Sequence, residues 1–420
     1  MYKEDLHQAH LLRDTKVLFR INDTDEYYMT NDDVESIELL RIFSANKNGK
    51  IFGEGCLFGS VIAHDPYILE DIKDVNCTYE ELNPRYFDSN PVIDGLIGQS
   101  VGDAFGVPYE FMGREDVRKL DLREMVGCDT QVSFNSRWGD LIPKGAWSDD
   151  TSMAVAAMAS IIDNNGEVDY DDIMRQFIAW WDNGKFSSMP FPFGLGNTVH
   201  NAMVRYKNNY PPLECGGTGV RDNGNGALMR MFPFSMICIM RKYDDQKTYD
   251  FIRKASAVTH GHIINALSCC IYTQFLFDCL RTKNPKMSYY TAIRDKEYDY
   301  KQAFPSEAID AHEILFKQIM KEDFDPDTIR ESGYVVDSLI TAIYSIINTE
   351  NFEDAIKMAV RFGYDTDTNA AITGSLAGVI YGMDSIPVNW LRDLKRKDYL
   401  IDIGERFSEA IKNIRQISNK

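Results

Sequence analysis

From Pro91 onward the apolar positions recur at helical spacing. Ile93, Leu96, Ile97, Val101, Ala104 and Phe105 fall on one helical face. The same stretch carries Gly95, Gly98, Gly102 and Gly106 at spacings of three and four. Glycine costs about 1 kcal/mol per residue inside a helix. A stripe of it therefore implies close backbone approach to another helix or a ligand. Met153 to Ile162 is apolar all round and predicts a buried helix. A second small-residue stripe, Ala370, Gly374, Gly378 and Gly382, lies near the end. Few alternating β-branched runs fall between, and residues 284–330, more polar, predict a peripheral excursion. The pattern is that of a mainly α protein.

The first 90 or so residues read differently. Lys16 to Ile21 predicts a strand, and Asn31 to Phe43 a helix carrying Val34, Ile37, Leu40 and Ile42. Ile51 to Ile62, Gly-rich and apolar, predicts a turn and strands. Asn83-Pro84 and Asn90-Pro91 punctuate the chain twice. The expected division is a small α+β module over residues 1–88 and an all-α domain over residues 89–420. The module carries a net charge of roughly -9, near half the total in about a fifth of the length.

The chain has 420 residues, 44% hydrophobic and 26% charged, with a net charge of -19. That is the mix of a soluble globular protein. The acidic balance argues against broad contact with nucleic acid or an anionic membrane face, both of which need a basic footprint. No uncharged apolar run approaches the roughly 20 residues of a membrane span. Met1 to Asp5 has no basic region leading into an apolar one, so no signal peptide is expected. The eight cysteines form no C-x-x-C pair. They predict reduced thiols in a cytoplasmic protein and no zinc site.

Two short acidic clusters stand out, each at a helix start. One is Trp147-Ser148-Asp149-Asp150-Thr151, the other Asp365-Thr366-Asp367-Thr368. Helix capping explains one residue in each. It does not explain a second acid running into an apolar helix with no lysine or arginine in the cluster, because such a carboxylate is costly to bury. Together the clusters offer four carboxylates and hydroxyls as oxygen ligands for hard divalent cations.

Five ordered motifs then carry a resemblance. They are Gly102-Asp103-Ala104-Phe105-Gly106-Val107-Pro108-Tyr109-Glu110, Gly145-Ala146-Trp147-Ser148-Asp149-Asp150-Thr151, Gly224-Asn225-Gly226-Ala227-Leu228-Met229-Arg230, Thr259-His260, and Gly363-Tyr364-Asp365-Thr366-Asp367-Thr368-Asn369-Ala370. Residues 91–390 resemble the ADP-ribosylglycohydrolase family, which includes the bacterial dinitrogenase reductase-activating glycohydrolases and the animal ADP-ribosylarginine hydrolases. The resemblance excludes the first 90 residues. It implies an all-α fold around two Mg²⁺ or Mn²⁺ ions, held by Ser148, Asp149 and Asp150 from one side and by Asp365, Asp367 and Thr368 from the other. The family often has Thr where this chain has Ser148, and serine keeps the hydroxyl.

The implied reaction breaks a bond at the anomeric carbon of ADP-ribose on a modified side chain, most often arginine. It needs charge stabilisation, a placed water and help for the leaving group. Two ions can orient the ribose and acidify a water, and Asp150 or Asp367 can take that water's proton. Glu110 is expected near the metal site, gating or positioning substrate. For Asp103 a structural role is favoured. Gly224, Asn225 and Gly226 can bring backbone N–H groups to phosphate oxygens. His260 is expected to bond diphosphate or ribose, and Asp222 to face an incoming guanidinium. His262 has no assigned role. The loop Pro190 to Asn197 either stacks adenine or packs on itself. The expected partner is an ADP-ribosylated protein. The alternative is a neutralising protein that docks an ADP-ribosylating toxin through residues 1–88.

Overall fold

The structure, a computed structural model, describes residues 18–20, 27–29, 90–128 and 142–413. In the N-terminal unit, β1 (Leu18–Arg20) pairs antiparallel with β2 (Tyr27–Met29), placing Phe19 opposite Tyr28. β1 lies inside the strand expected at 16–21. The helix expected at 31–43 and the strands at 51–62 lie outside the described residues.

The second unit starts at Pro91, and its named elements among the described residues are helices. Its main helices are α1 (Pro91–Gly106), α2 (Asp149–Asp163), α3 (Tyr170–Asn183), α4 (Asn197–Lys207), α5 (Phe232–Met240), α6 (Asp245–Ala257), α7 (Ile263–Thr282), α8 (Val335–Ile347), α9 (Phe352–Val360), α10 (Thr366–Tyr381) and α11 (Lys397–Asn413). α1 and α10 form the centre. α9 and α8 cover α10, and α11 packs on both α1 and α2.

The glycine stripes meet each other. A methyl group on Gly98 would lie 2.2 Å from the carbonyl oxygen of Gly374, and one on Gly102 would lie 2.0 Å from that of Ala370. In return, methyls on Gly374 and Gly378 would lie 2.1 Å from the carbonyl oxygens of Gly98 and Asp94. The two backbones are in contact, which any side chain at these positions would prevent. Two members of the stripes do something else. Gly95 makes room for the Phe232 ring, and Gly382 ends α10 at φ +82° with nothing near its Cα hydrogen.

α2 is buried as its sequence predicts, with Ser148 as N-cap. α7 is long and apolar enough to cross a membrane by length and composition, and is mostly buried inside the protein. It is apolar on all sides because it runs through the core. Residues 284–330 form short helices beside α7 and α8, with Tyr289, Tyr300 and Phe316 as buried anchors. Six of the eight cysteines fall in the described residues, and all six are buried free thiols.

Candidate active site

Three chain turns converge where α1 ends. α1 brings Asp103, and the 3-10 turn Val107–Tyr109 after it delivers Glu110. The start of α2 brings Ser148, Asp149 and Asp150. The start of α10 brings Asp365, Asp367 and Thr368. Gly106 sets the last approach, since a methyl there would lie 2.4 Å from the Cα of Asp367.

The carboxylates form two groups that share a member. Oxygens of Asp103, Asp150 and Asp367 lie within 4.8 Å of one another, and so do oxygens of Glu110, Asp365 and Asp367. Asp103, placed by sequence in a structural role, does both jobs. Its Oδ1 accepts the Ser148 N–H at 2.9 Å. Its Oδ2 accepts the Thr151 N–H at 3.0 Å and the Thr151 hydroxyl at 2.7 Å. It therefore fixes the first turn of α2 while facing Asp150 and Asp367. Asp149 is in neither group. Its Oδ1 faces Gly194, where a methyl would lie 2.1 Å away and the backbone sits at φ +95°. Only glycine suits that position.

Capping accounts for little of this. Asp365 occupies the N-cap of α10 yet makes no capping bond. Its Oδ2 accepts the Asn225 amide at 2.7 Å instead, and that amide also donates to Ser338 at 2.9 Å. Ser148 accepts the Asp150 N–H at 3.4 Å and donates to Asp150 Oδ2 at 2.9 Å. Gln99 went unnoticed in the sequence. Its amide donates to the carbonyls of Asp150 and Met229, both at 3.0 Å, tying α1 to α2 and to the Gly224 turn. The sequence signals it only as one polar residue among several on a glycine-striped helix that also carries Asp94, Ser100 and Asp103.

Crowding and burial hold these acids toward their protonated forms. Burial raises Asp103 to about 6. Burial, with the Asp103 and Asp365 charges, raises Asp149 to about 8. Burial raises Asp365, and burial plus neighbouring carboxylates pushes Asp150 and Asp367 well up. No lysine or arginine forms an ion pair with any of the five among the described residues, and burial is the main cause of every shift. Asp150 Oδ1 is buried with no hydrogen-bond partner. An all-oxygen donor set, an orphaned carboxylate oxygen and uncompensated negative charge fit a hard divalent cation.

Glu110, Asp149, Asp365 and Asp367 open into a cleft of about 460 Å³ lined also by Gly224, Asn225, Gly226, His260, Thr368 and Arg221, while Asp103, Ser148 and Asp150 do not line it. Asn225 N–H bonds the Gly333 carbonyl at 3.0 Å, which pins the turn. A methyl on Gly226 would lie 2.9 Å from the His260 ring. Burial, followed by the Arg230 charge, holds His260 down to about 3, so the imidazole is neutral. Phe111 and Tyr364 stand at the cleft mouth, with rings 5.7 Å apart at 81°.

One expectation needs correction, and one alternative is decided. The Asp222 carboxylate does not line the cleft. It accepts the Gly219 N–H at 3.0 Å and closes its own turn, and Arg221 lines the cleft in its place. Of the loop 190–197, Phe193 packs with Val107, Cys128, Ile142 and Ala146, and Phe191 lies against that cluster. Its backbone from Gly194 onward reaches the cleft, and its rings do not. His262, left without a role, caps α7, its Nδ1 accepting the Ile264 N–H at 3.3 Å.

Residues 84–416 match the ADP-ribosylglycohydrolase family. The chain is 30% identical over 312 residues to the ADP-ribosylarginine hydrolase Tri1 of Serratia proteamaculans (strain 568), covering 74% of this chain and 77% of that protein. It is 26% identical to the ADP-ribosyl-[dinitrogen reductase] glycohydrolase of Rhodospirillum rubrum, over 73% of this chain and 90% of that one. A solved structure described as an ADP-ribosylglycohydrolase-related protein complex shares the fold, with a TM-score of 0.59 at 23% identity, over 78% of this chain and 98% of that chain. This chain belongs to the ADP-ribosylglycohydrolase family.

Proposed function

We propose that the protein is a binuclear-metal-dependent hydrolase that removes ADP-ribose from modified arginine side chains in the cytoplasm. The observation that carries the metal dependence is the pair of carboxylate groups sharing Asp367, with the buried Asp150 Oδ1 left unpartnered beside them. Ser148, Asp149, Asp150, Asp365, Asp367 and Thr368 would hold two Mg²⁺ or Mn²⁺ ions, with Asp103 and Glu110 within reach. When bound, the ions supply positive charge that holds ribose hydroxyls and acidifies a water.

The remaining steps belong to the chain. The turn Gly224–Gly226 and the neutral His260 hold the diphosphate or ribose. Asp367 or Asp150 takes the proton from the attacking water. The water's oxygen bonds to the anomeric carbon as the carbon–nitrogen bond breaks, and the proton held by the carboxylate passes to the leaving guanidine nitrogen. Glu110 positions the scissile bond from the cleft mouth. The arginine assignment is supported by the name of the Serratia proteamaculans relative, at 30% identity. The exposed Phe111 and Tyr364 rings also offer π faces that suit a guanidinium. No finding supports the alternative, docking of a toxin by residues 1–88.

A competition assay between arginine-linked and serine-linked ADP-ribosyl peptides tests the acceptor. Preferential release from the arginine linkage is expected. Equal or serine-preferring release would remove the arginine assignment and leave the hydrolase reading intact.

A further inference from the structure

Arg230 lies in the middle of the molecule with no exposed surface. It sits over the Phe177 ring, 5.1 Å from its centroid, and no carboxylate faces it among the described residues. Its Nε and Nη1 have no partner. Burying an unpaired cation is costly. The one side chain it contacts by hydrogen bond is Thr259. Its Nη2 donates to Thr259 Oγ1 at 2.6 Å and to the Ala255 carbonyl at 3.1 Å.

That contact decides the state of the next residue. A guanidinium can only donate, so Thr259 Oγ1 accepts from it. Thr259 is fully buried. Its own hydroxyl proton then has one acceptor among the described residues, Nδ1 of His260 at 2.9 Å. Were Nδ1 to carry a proton, two donors would face one another and the hydroxyl proton would be stranded. Nδ1 is therefore the bare nitrogen. Burial and the Arg230 charge keep the ring neutral at ordinary pH, so its single proton is on Nε2. Nε2 faces the Gly224 turn, where a methyl would meet it at 3.7 Å.

We propose that Arg230 and Thr259 are positioning residues that hold His260 as its Nε2–H tautomer, giving the cleft one fixed N–H donor for an oxygen of the ADP-ribosyl group. The ligand in this statement rests on the proposed function, and the tautomer does not. His312 provides an internal contrast. Its Nδ1 bonds the Ala308 carbonyl at 2.7 Å and its Nε2 meets the Ser268 hydroxyl at 2.8 Å, which fixes the opposite tautomer.

Long-range ¹H–¹⁵N spectra of the histidine-labelled full chain at neutral pH read both rings, with His260 assigned from a His260→Gln variant. The expected result is Nε2–H for His260 and Nδ1–H for His312. Thr259→Val is close in shape and removes the hydroxyl. It should shift His260 toward Nδ1–H and weaken ADP-ribose binding about five- to tenfold, the worth of one hydrogen bond. Thr259→Ser should restore both, and thermal unfolding checks that each variant folds. A wild-type His260 carrying its proton on Nδ1, or a Thr259→Val chain with unchanged tautomer or unchanged ADP-ribose affinity, overturns the proposal. If the wild-type chain shows the expected tautomer but does not bind ADP-ribose, the tautomer assignment stands. Its proposed ligand then falls together with the hydrolase reading.

Discussion

A methyl group on Gly106 would lie 2.4 Å from the Cα of Asp367. The last turn of one central helix thus touches the first turn of the other. Asp103 lies one turn back on α1, and Glu110 lies four residues on. The backbone contact that builds the core is also what brings Asp103, Glu110 and Asp367 to one point. Stability and site geometry are coupled through the same glycines.

Gly102→Ala and Gly98→Ala should each destabilise the protein by about 3 kcal/mol or more, because the added methyl meets backbone that cannot rotate away. Gly196→Ala is the control. Nothing lies within 4 Å of its added methyl, and its cost should stay within about 0.5 kcal/mol. Denaturant unfolding measures all three, and equal costs would contradict the helix contact.

The buried acids set a pH dependence for the metal-free chain. Asp149 and Asp103 are raised to about 8 and about 6, against about 3.9 unfolded. Over that span the native state binds more protons than the unfolded state, so metal-free stability falls as pH rises. In EDTA the thermal midpoint should rise as pH is lowered from about 8 to about 6.5, the unperturbed histidine value. Below that, His260 and His312, held down to about 3 and about 4, act in the opposite sense. Saturating Mg²⁺ should raise the midpoint and flatten the first slope. A midpoint in EDTA that falls from about pH 8 to 6.5, or no response to Mg²⁺ or Mn²⁺, would count against the metal site.

Arg114 ties three chain segments together, its own and those at Asp327–Ile329 and Phe362. Its side chain is buried, with Nε on the Phe362 carbonyl at 3.1 Å, Nη2 on the Ile329 carbonyl and Nη1 on Asp327 at 3.2 Å. Arg114→Ala should cost about 3 kcal/mol, since it strands the two buried carbonyls of Phe362 and Ile329 and removes the ion pair with Asp327. Arg114→Lys should not rescue it, lacking the planar fork. Thermal or denaturant unfolding decides, and full rescue by lysine would show that charge alone matters.

Phe111 and Tyr364 are both at positive φ, +66° and +62°. They are joined by backbone bonds from Phe111 N–H to the Tyr364 carbonyl at 2.5 Å and from Tyr364 N–H to the Met112 carbonyl at 2.7 Å. Bulky residues are strained there. Replacing both with glycine should change stability by no more than about 1 kcal/mol, strain relief offsetting lost ring contact. The same variant should raise KM for an arginine-linked substrate about tenfold, with inhibition by free ADP-ribose unchanged. Equal loss of both would mean that the rings support the cleft rather than receive the acceptor.

Much of this was legible in the sequence for a physical reason. Glycine at helical spacing is costly enough to need an explanation, and the two stripes do meet. Acids running into apolar helices are likewise costly, and Asp150, Asp365 and Asp367 do meet, whereas Asp149 faces Gly194. What the sequence hid was direction. The sequence places Asp222 toward an incoming guanidinium, yet its carboxylate turns back on Gly219, while that of Asp365 reaches across to Asn225. The aromatic loop at 190–197 suits stacking or packing equally by sequence, and Phe193 packs in its own small core. Asp103 looked like a cap, because spacing cannot show that a residue capping α2 also faces Asp367. Gln99 gave almost no signal, since one polar residue on a helix is ordinary.

The central claim is metal-dependent release of ADP-ribose from an arginine linkage at the carboxylates that meet around Asp367. The most direct test measures release from ADP-ribosyl-arginine with Mg²⁺, Mn²⁺ or EDTA, for the wild-type chain and for Asp365→Ala. The account predicts release with a divalent ion, none in EDTA, and loss of at least about a hundredfold in the variant. Release that persists in EDTA, or an Asp365→Ala chain as active as the wild type, would contradict it.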